Sequence, residues 1–132
     1  MIDVYLPITT LLASLLLAWL LVLSWRVIQG RQTNGASLGD GGDASLQRRI
    51  RAQANLTEYA PMFVSLIALV ELQSGNTWVL LVLSVMFVVG RLAHGYALAF
   101  TDGNTLGRVG GMALTLGASG LAVIYALIDL LL

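Results

Sequence analysis

Cysteine and lysine are both absent from the chain. Without cysteine there is no disulfide, no thiolate metal site and no cysteine nucleophile. Without lysine, seven arginines carry all the positive charge and seven acidic residues balance them to a formal net charge of zero. That balance excludes a nucleic-acid binder working through a broad basic face. A single histidine beside no cysteine leaves too few donors for a transition-metal site, so no metal is expected. Charge of either sign is scarce, 11% of residues, against about 25% in water-soluble domains. The hydrophobic content is 58% in 132 residues, more than so short a chain can bury in a core of its own. The solvent for most of this protein is lipid.

The apolar residues fall into long runs. Val4–Trp25, Leu72–Gly90 and Val109–Ile128 are each close to the roughly 20 residues a helix needs to cross the hydrocarbon. Tyr59–Val70 is too short alone and becomes a span only if its helix starts upstream near Ser45, carrying Arg51, Asn55 and Glu58 into the membrane. The pattern predicts an all-α integral membrane protein, a single domain over residues 1–132. It is a bundle of four transmembrane helices at about 4–29, 46–72, 77–100 and 106–131. The first run is not read as a signal peptide, because no basic residue precedes it and Arg26 and Arg31 follow it. Arg26, Arg31, Arg48, Arg49 and Arg51 surround the first loop and Arg108 adjoins the third, so both loops are expected in the cytoplasm and both termini outside it. Tyr5, Trp78 and Tyr125 would then lie near the outer interface and Trp25 near the inner one. Arg48 and Arg49 suit contact with anionic lipid. Residues 30–45 form a glycine-rich loop ending in an Asp43 or Ser45 helix cap; the Gly39–Asp43 spacing matches neither an EF-hand nor a P-loop.

Ionisable groups inside a span cost at least ~2.5–3.5 kcal/mol each and are functional candidates by default. On the second helix Arg51, Asn55, Glu58 and Tyr59 share one stripe about 100° wide, with Gln53 on the opposite side. Such a stripe suits a small zwitterion: Arg51 grips a carboxylate, Glu58 accepts from an ammonium, and Asn55 offers donor and acceptor. Pro61 lies one turn on, where it frees the carbonyl of Thr57 and bends the helix. On the third helix Arg91 and His94 share a face, and Glu58 and Arg91 fall at similar depth, about 20 Å from the outer turn. An ion pair between those two helices is therefore expected. On the fourth, Gly110, Ala113, Gly117 and Gly120 form a smooth strip for close helix packing within or between subunits. Arg108, at the start of that helix, either snorkels to headgroups or turns inward toward an anion.

The segment Arg51-Ala52-Gln53-Ala54-Asn55-Leu56-Thr57-Glu58-Tyr59-Ala60-Pro61-Met62-Phe63 resembles the signature of the membrane-associated proteins in eicosanoid and glutathione metabolism. That pattern is Arg, Asn four residues on, then Glu-Tyr, Pro and Phe. Arg91-Leu92-Ala93-His94 is similar to the family's third-helix Arg-x-x-His or Arg-x-x-Tyr, and the likeness covers nearly the whole chain. The resemblance implies a homotrimer in a bilayer that binds glutathione between subunits near the cytoplasmic face. It implies contacts from Arg51, Asn55, Glu58, Tyr59, Arg91 and His94, with Gln53 and Arg26 reaching in from the adjoining subunit. It makes Arg108 the thiolate-stabilising group, and an electrophilic lipid or xenobiotic entering from the bilayer the second substrate. One departure is Leu98, where members often carry tyrosine one turn after the Arg-x-x-His; Tyr96 points about 200° away from His94. The reading is an inner-membrane glutathione transferase or peroxidase. The alternatives are a non-catalytic scaffold or ligand-binding relative, suggested by Leu98, and a small proton-coupled exporter, against which the arginines beside Glu58 count.

Overall fold

The computed structural model describes residues 5–131, which form four α-helices and, among those residues, no strand. They are α1 (Pro7–Asn34), α2 (Ala44–Leu72), α3 (Thr77–Ala99) and α4 (Thr105–Leu131). The starts follow side-chain caps that satisfy orphan amides. Asp43 Oδ1 accepts from the Leu46 amide at 2.6 Å, Asn76 Oδ1 from Trp78 and Val79, and Asn104 Oδ1 from Gly107. For α1, Pro7 supplies the pre-set first turn, but Leu6 at its N-cap has no side chain to offer. Glu71, at the far end of α2, does the work: its carboxylate accepts from the Ile8 amide at 2.9 Å, the Thr9 amide at 2.8 Å and the Thr9 hydroxyl at 2.6 Å.

Two boundaries differ from expectation. Helix α1 continues five residues past 29, to Asn34, and ends where Gly35 turns left-handed at φ 63° and the Ala36 amide closes on the Arg31 carbonyl. The first loop therefore shrinks from 30–45 to residues 35–43. Gly30 is no loop residue: it is buried inside α1, and a Cβ there would lie 2.9 Å from Leu46 Cδ1.

The helices alternate in direction. Glu71 meets the start of α1, Gln53 meets Ser24 deep in α1, and the Tyr125 hydroxyl near the end of α4 accepts from the Asn76 amide at the start of α3. Helices α1, α3 and α4 are long and apolar enough to cross a membrane; α2 is not, because of its charged first half. Helix α2 spans by connection instead: α1 and α3 run the same way, so the chain must return between them. The shared interior is aliphatic, with Leu12, Leu16 and Leu23 of α1 against Leu56 and Ile67 of α2 and Leu80 and Leu83 of α3. Phe63 stacks on Phe87 at its centre, ring centroids 3.9 Å apart. Outward positions such as Leu11, Leu21, Val82, Val85 and Ile124 are exposed, the mark of a surface solvated by lipid.

The strip expected on α4 faces out. Among the described residues a Cβ at Gly110, Gly117 or Gly120 would meet nothing within 4 Å, and Ala113 is exposed. Helix α4 packs on α3 through the adjacent phase, Gly111, Thr115, Ala118 and Ala122. The crossing is tightest at Gly90 and Gly111, where a Cβ on either would lie under 3 Å from backbone atoms of the other helix.

Candidate functional site

The polar stripe lies along the exposed edge of α2 toward the end that carries the first loop. Arg51 Nη1 stands 3.6 Å from Glu58 Oε1, and both side chains are about half exposed, 55% and 52%. Two helical turns separate them in sequence, so the pair runs along the helix and Asn55 lies between. The Asn55 side-chain oxygen is buried and has no partner among the described residues. Tyr59 is half-buried below. From Glu58 and Tyr59 an apolar groove continues between α2 and α4, walled by Met62, Phe63, Leu66, Leu116, Ser119 and Val123. A second groove, lined by His94, Arg108, Val109, Met112, Ala113 and Leu116, meets it at Leu116. Arg108 is exposed at the head of α4, about 12 Å along the axis from Leu116.

The expected Glu58–Arg91 bridge does not form. Glu58 pairs along its own helix, and Arg91, only 2% exposed, turns inward. Its Nε donates to Thr115 Oγ1 at 2.8 Å and its Nη1 to the Asn55 carbonyl at 3.4 Å. Its Nη2 lies 3.7 Å from Met112 Sδ, and the guanidinium sits 5.2 Å from the centre of the Tyr59 ring. A hydroxyl, a carbonyl, a thioether and a π face thus replace the carboxylate, enough to hold a cation away from water. Depth was readable from sequence; the rotation of α3 about its axis was not. Thr115 had a signal, a polar residue in an apolar helix level with Arg91, which the glycine strip on the same helix obscured.

A profile of the MAPEG family matches residues 9–128, nearly the whole chain and all four helices. The chain belongs to the MAPEG family. Among its relatives, the inner membrane protein YecN of Escherichia coli strain K12 is 32% identical over 89 residues, 67% of this chain and 68% of YecN. The YecN of E. coli O6:H1 strain CFT073 matches to the same extent. This is an integral membrane protein of MAPEG type.

Not every residue implied by the family signature joins the stripe in this MAPEG protein. Gln53, on the opposite side of α2, donates to Ser24 Oγ at 2.8 Å. Arg26 is committed to the end of α3: its Nη2 donates to the Ala99 carbonyl at 3.0 Å and its guanidinium lies 4.6 Å from the centre of the Phe100 ring. Both stand on the α1 side of the protomer, away from the groove. His94 is buried against α4, its Nδ1 2.9 Å from the Arg108 carbonyl oxygen. Tyr96 faces outward and stacks on Phe100. Of the arginines suited to lipid, Arg48 ties α2 to the α3–α4 loop by pairing with Asp102 at 2.9 Å, and Arg49 ties α2 to α1 by donating to the Arg26 carbonyl.

Proposed function

We propose that this MAPEG protein binds glutathione along the Arg51–Glu58 stripe and activates its thiol for attack on a lipophilic electrophile, as a transferase or peroxidase of the bacterial inner membrane. The observation that carries the reading is the 3.6 Å pairing of Arg51 with Glu58 on an exposed helix edge, at the mouth of an apolar groove. A zwitterionic peptide brings a carboxylate to Arg51 and an ammonium to Glu58. Each protein charge thereby exchanges one counter-charge for another, and neither is stripped bare. Asn55 lies between the two charges; its carboxamide oxygen is buried without a partner among the described residues, and a turn of the side chain toward the stripe lets it accept from a peptide N–H. Tyr59 walls the same mouth. Arg108, exposed at the head of α4 on the adjoining groove, is the group assigned here to the thiol. Its guanidinium favours thiolate over thiol, and each unit by which the thiol pKa falls is worth about 1.4 kcal/mol. The thiol proton leaves to water on the cytoplasmic side. The thiolate then bonds to an electrophilic carbon or a peroxide oxygen that has come along the apolar groove, and the electron pair of the bond that breaks departs with the leaving group or alkoxide, which takes up a proton from water.

The stripe also argues for self-assembly. Arg51, Thr57, Glu58, Pro61 and Ser65 are all exposed on one protomer, and Pro61 leaves the Thr57 carbonyl without its helical donor. Lipid cannot solvate that edge. A homotrimer covers it, with the open Gly110, Gly117 and Gly120 face available for close approach, and puts Arg26 and Gln53 of one subunit beside the stripe of the next. Both termini lie outside the cytoplasm, with the arginine-rich ends inside.

The test is ultraviolet difference absorbance of the detergent-solubilised protein titrated with glutathione near ~240 nm, where thiolate absorbs and thiol does not. The expected result is a saturable signal at neutral pH, well below the ~8.5 at which a free cysteine thiol ionises. Arg108→Ala should keep the affinity and lose the signal. Binding by calorimetry with no thiolate signal in the unaltered protein would replace the enzyme with a binding protein, and no binding would end the glutathione reading.

A further inference from the structure

Arg108 sits in the first turn of α4, directly after the surface loop 100–104, and its own side chain is exposed. Helix ends fray, and the amides of a first turn have no partner earlier in their own helix. Something must nonetheless fix where a guanidinium leaves this turn if it is to meet one sulfur atom. The Arg108 amide bonds to the Asn104 carbonyl in the loop, at 3.1 Å. The Arg108 carbonyl is held from below by the His94 ring, at 2.9 Å.

That contact fixes the chemistry of the ring. A carbonyl oxygen only accepts, so Nδ1 carries the hydrogen and donates, and the neutral ring keeps its lone pair on Nε2. Nε2 is itself buried and has no partner among the described residues, and the residue is 5% exposed. His94 therefore turns its donor toward the main chain of α4, and although the residue helps to line the groove, its Nε2 is buried. Gly111 makes the approach possible, since a Cβ there would lie 2.5 Å from the His94 amide nitrogen and 2.9 Å from the His94 Cβ.

We propose that His94 is a positioning residue for Arg108: its Nδ1–H anchors the Arg108 carbonyl and so fixes the direction in which the guanidinium leaves α4. The inference rests on the reading of Arg108 as the thiolate-stabilising group, and it replaces the direct ligand contact that the family resemblance implies for His94. Misplacing a catalytic group by about 1 Å is enough to cost orders of magnitude in rate, so a single buried hydrogen bond behind the arginine has leverage on the thiol in front of it.

Two amide variants of one chemistry and different reach test this. In His94→Asn the side-chain N–H occupies the place of Nδ1; in His94→Gln it falls near Nε2. The expected result is a thiolate signal at saturating glutathione that is kept in His94→Asn. In His94→Gln and His94→Leu it drops about five- to tenfold, the worth of one buried hydrogen bond. Calorimetric affinity stays that of the unaltered protein in all three. Affinity that falls while the thiolate signal per bound glutathione is unchanged would make His94 a ligand contact and overturn the proposal, as would equal signals from the Asn and Gln variants. Hydrogen exchange of residues 105–112 without ligand separates this from the functional reading. His94→Gln and His94→Leu should exchange about five- to tenfold faster there and His94→Asn should not. An unaltered protein that binds no glutathione would sink the functional reading, whereas equal exchange in all variants would sink the anchor itself.

Discussion

Gly110 and Gly111 are neighbours in sequence and opposites in consequence. Helix propensity alone makes either Gly→Ala change stabilising by about 1 kcal/mol. At Gly110 nothing stands in the way, since a Cβ there meets no atom of the described residues within 4 Å. At Gly111 the added methyl would lie 2.5 Å from the His94 amide nitrogen and 2.6 Å from the Gly90 carbonyl oxygen. Those are backbone atoms of α3 and cannot rotate aside, so the helices must separate. Overpacking of this kind costs about 1–3 kcal/mol. Separation also stretches the buried 2.8 Å bond from Arg91 to Thr115, a hydrogen bond to a charged group worth about 1.5–3 kcal/mol. Against the gain in propensity, Gly111→Ala should lose about 1.5–5 kcal/mol. The assay is unfolding of the detergent-solubilised protein by sodium dodecyl sulfate, followed by tryptophan fluorescence. Trp19 is a suitable reporter because its indole lies against Gly95 of α3 and donates to the Arg91 carbonyl. A Gly111→Ala protein as stable as the unaltered one would refute the close α3–α4 crossing, and with it the geometry assigned to Arg91 and His94.

The other predictions are smaller in scope. Glu71→Ala removes the acceptor of two amides and a hydroxyl at the start of α1 and should destabilise by about 1–2 kcal/mol in the same titration; no change would mean water caps α1 equally well. Thr115→Val keeps the shape and removes the acceptor for Arg91 Nε, and should cost about 1.5–3 kcal/mol, whereas Thr115→Ser should be close to neutral. Glu58→Gln should weaken glutathione about tenfold by calorimetry if its carboxylate holds the ammonium, and an unchanged affinity in a correctly assembled variant would remove Glu58 from the site.

Composition and period were enough to read four helices, because lipid forces the backbone to satisfy itself and leaves few other solutions. The stripe was legible for the same reason: Arg51, Asn55, Glu58 and Tyr59 stand on one helix, where angle follows from spacing. What required coordinates was every relation between helices. Glu58 and Arg91 stand at matching depth, but α3 is rotated so that Arg91 finds Thr115 and the Asn55 carbonyl. The glycines of α4 suggested a packing strip within or between subunits, yet the strip that meets α3 is the neighbouring one, through Gly111, because that phase also brings Thr115 under Arg91. Glu71 looked like the end of a span and turned out to cap another helix, a role that depends on α1 and α2 ending side by side. The end of α1 is legible in the sequence, since Gly35 after Arg31 makes an ordinary helix stop.

Arg91 has a consequence for biosynthesis. A guanidinium at the centre of an isolated span costs about 2.5–3.5 kcal/mol to insert, and the hydroxyl that receives its Nε lies 24 residues further along the chain. While only the first three helices have left the ribosome, Arg91 has the Asn55 carbonyl and the Tyr59 ring for company. Its environment is completed when Thr115 emerges, so α3 and α4 settle into the bilayer as a hairpin, and a chain truncated before α4 would leave α3 poorly committed to the membrane.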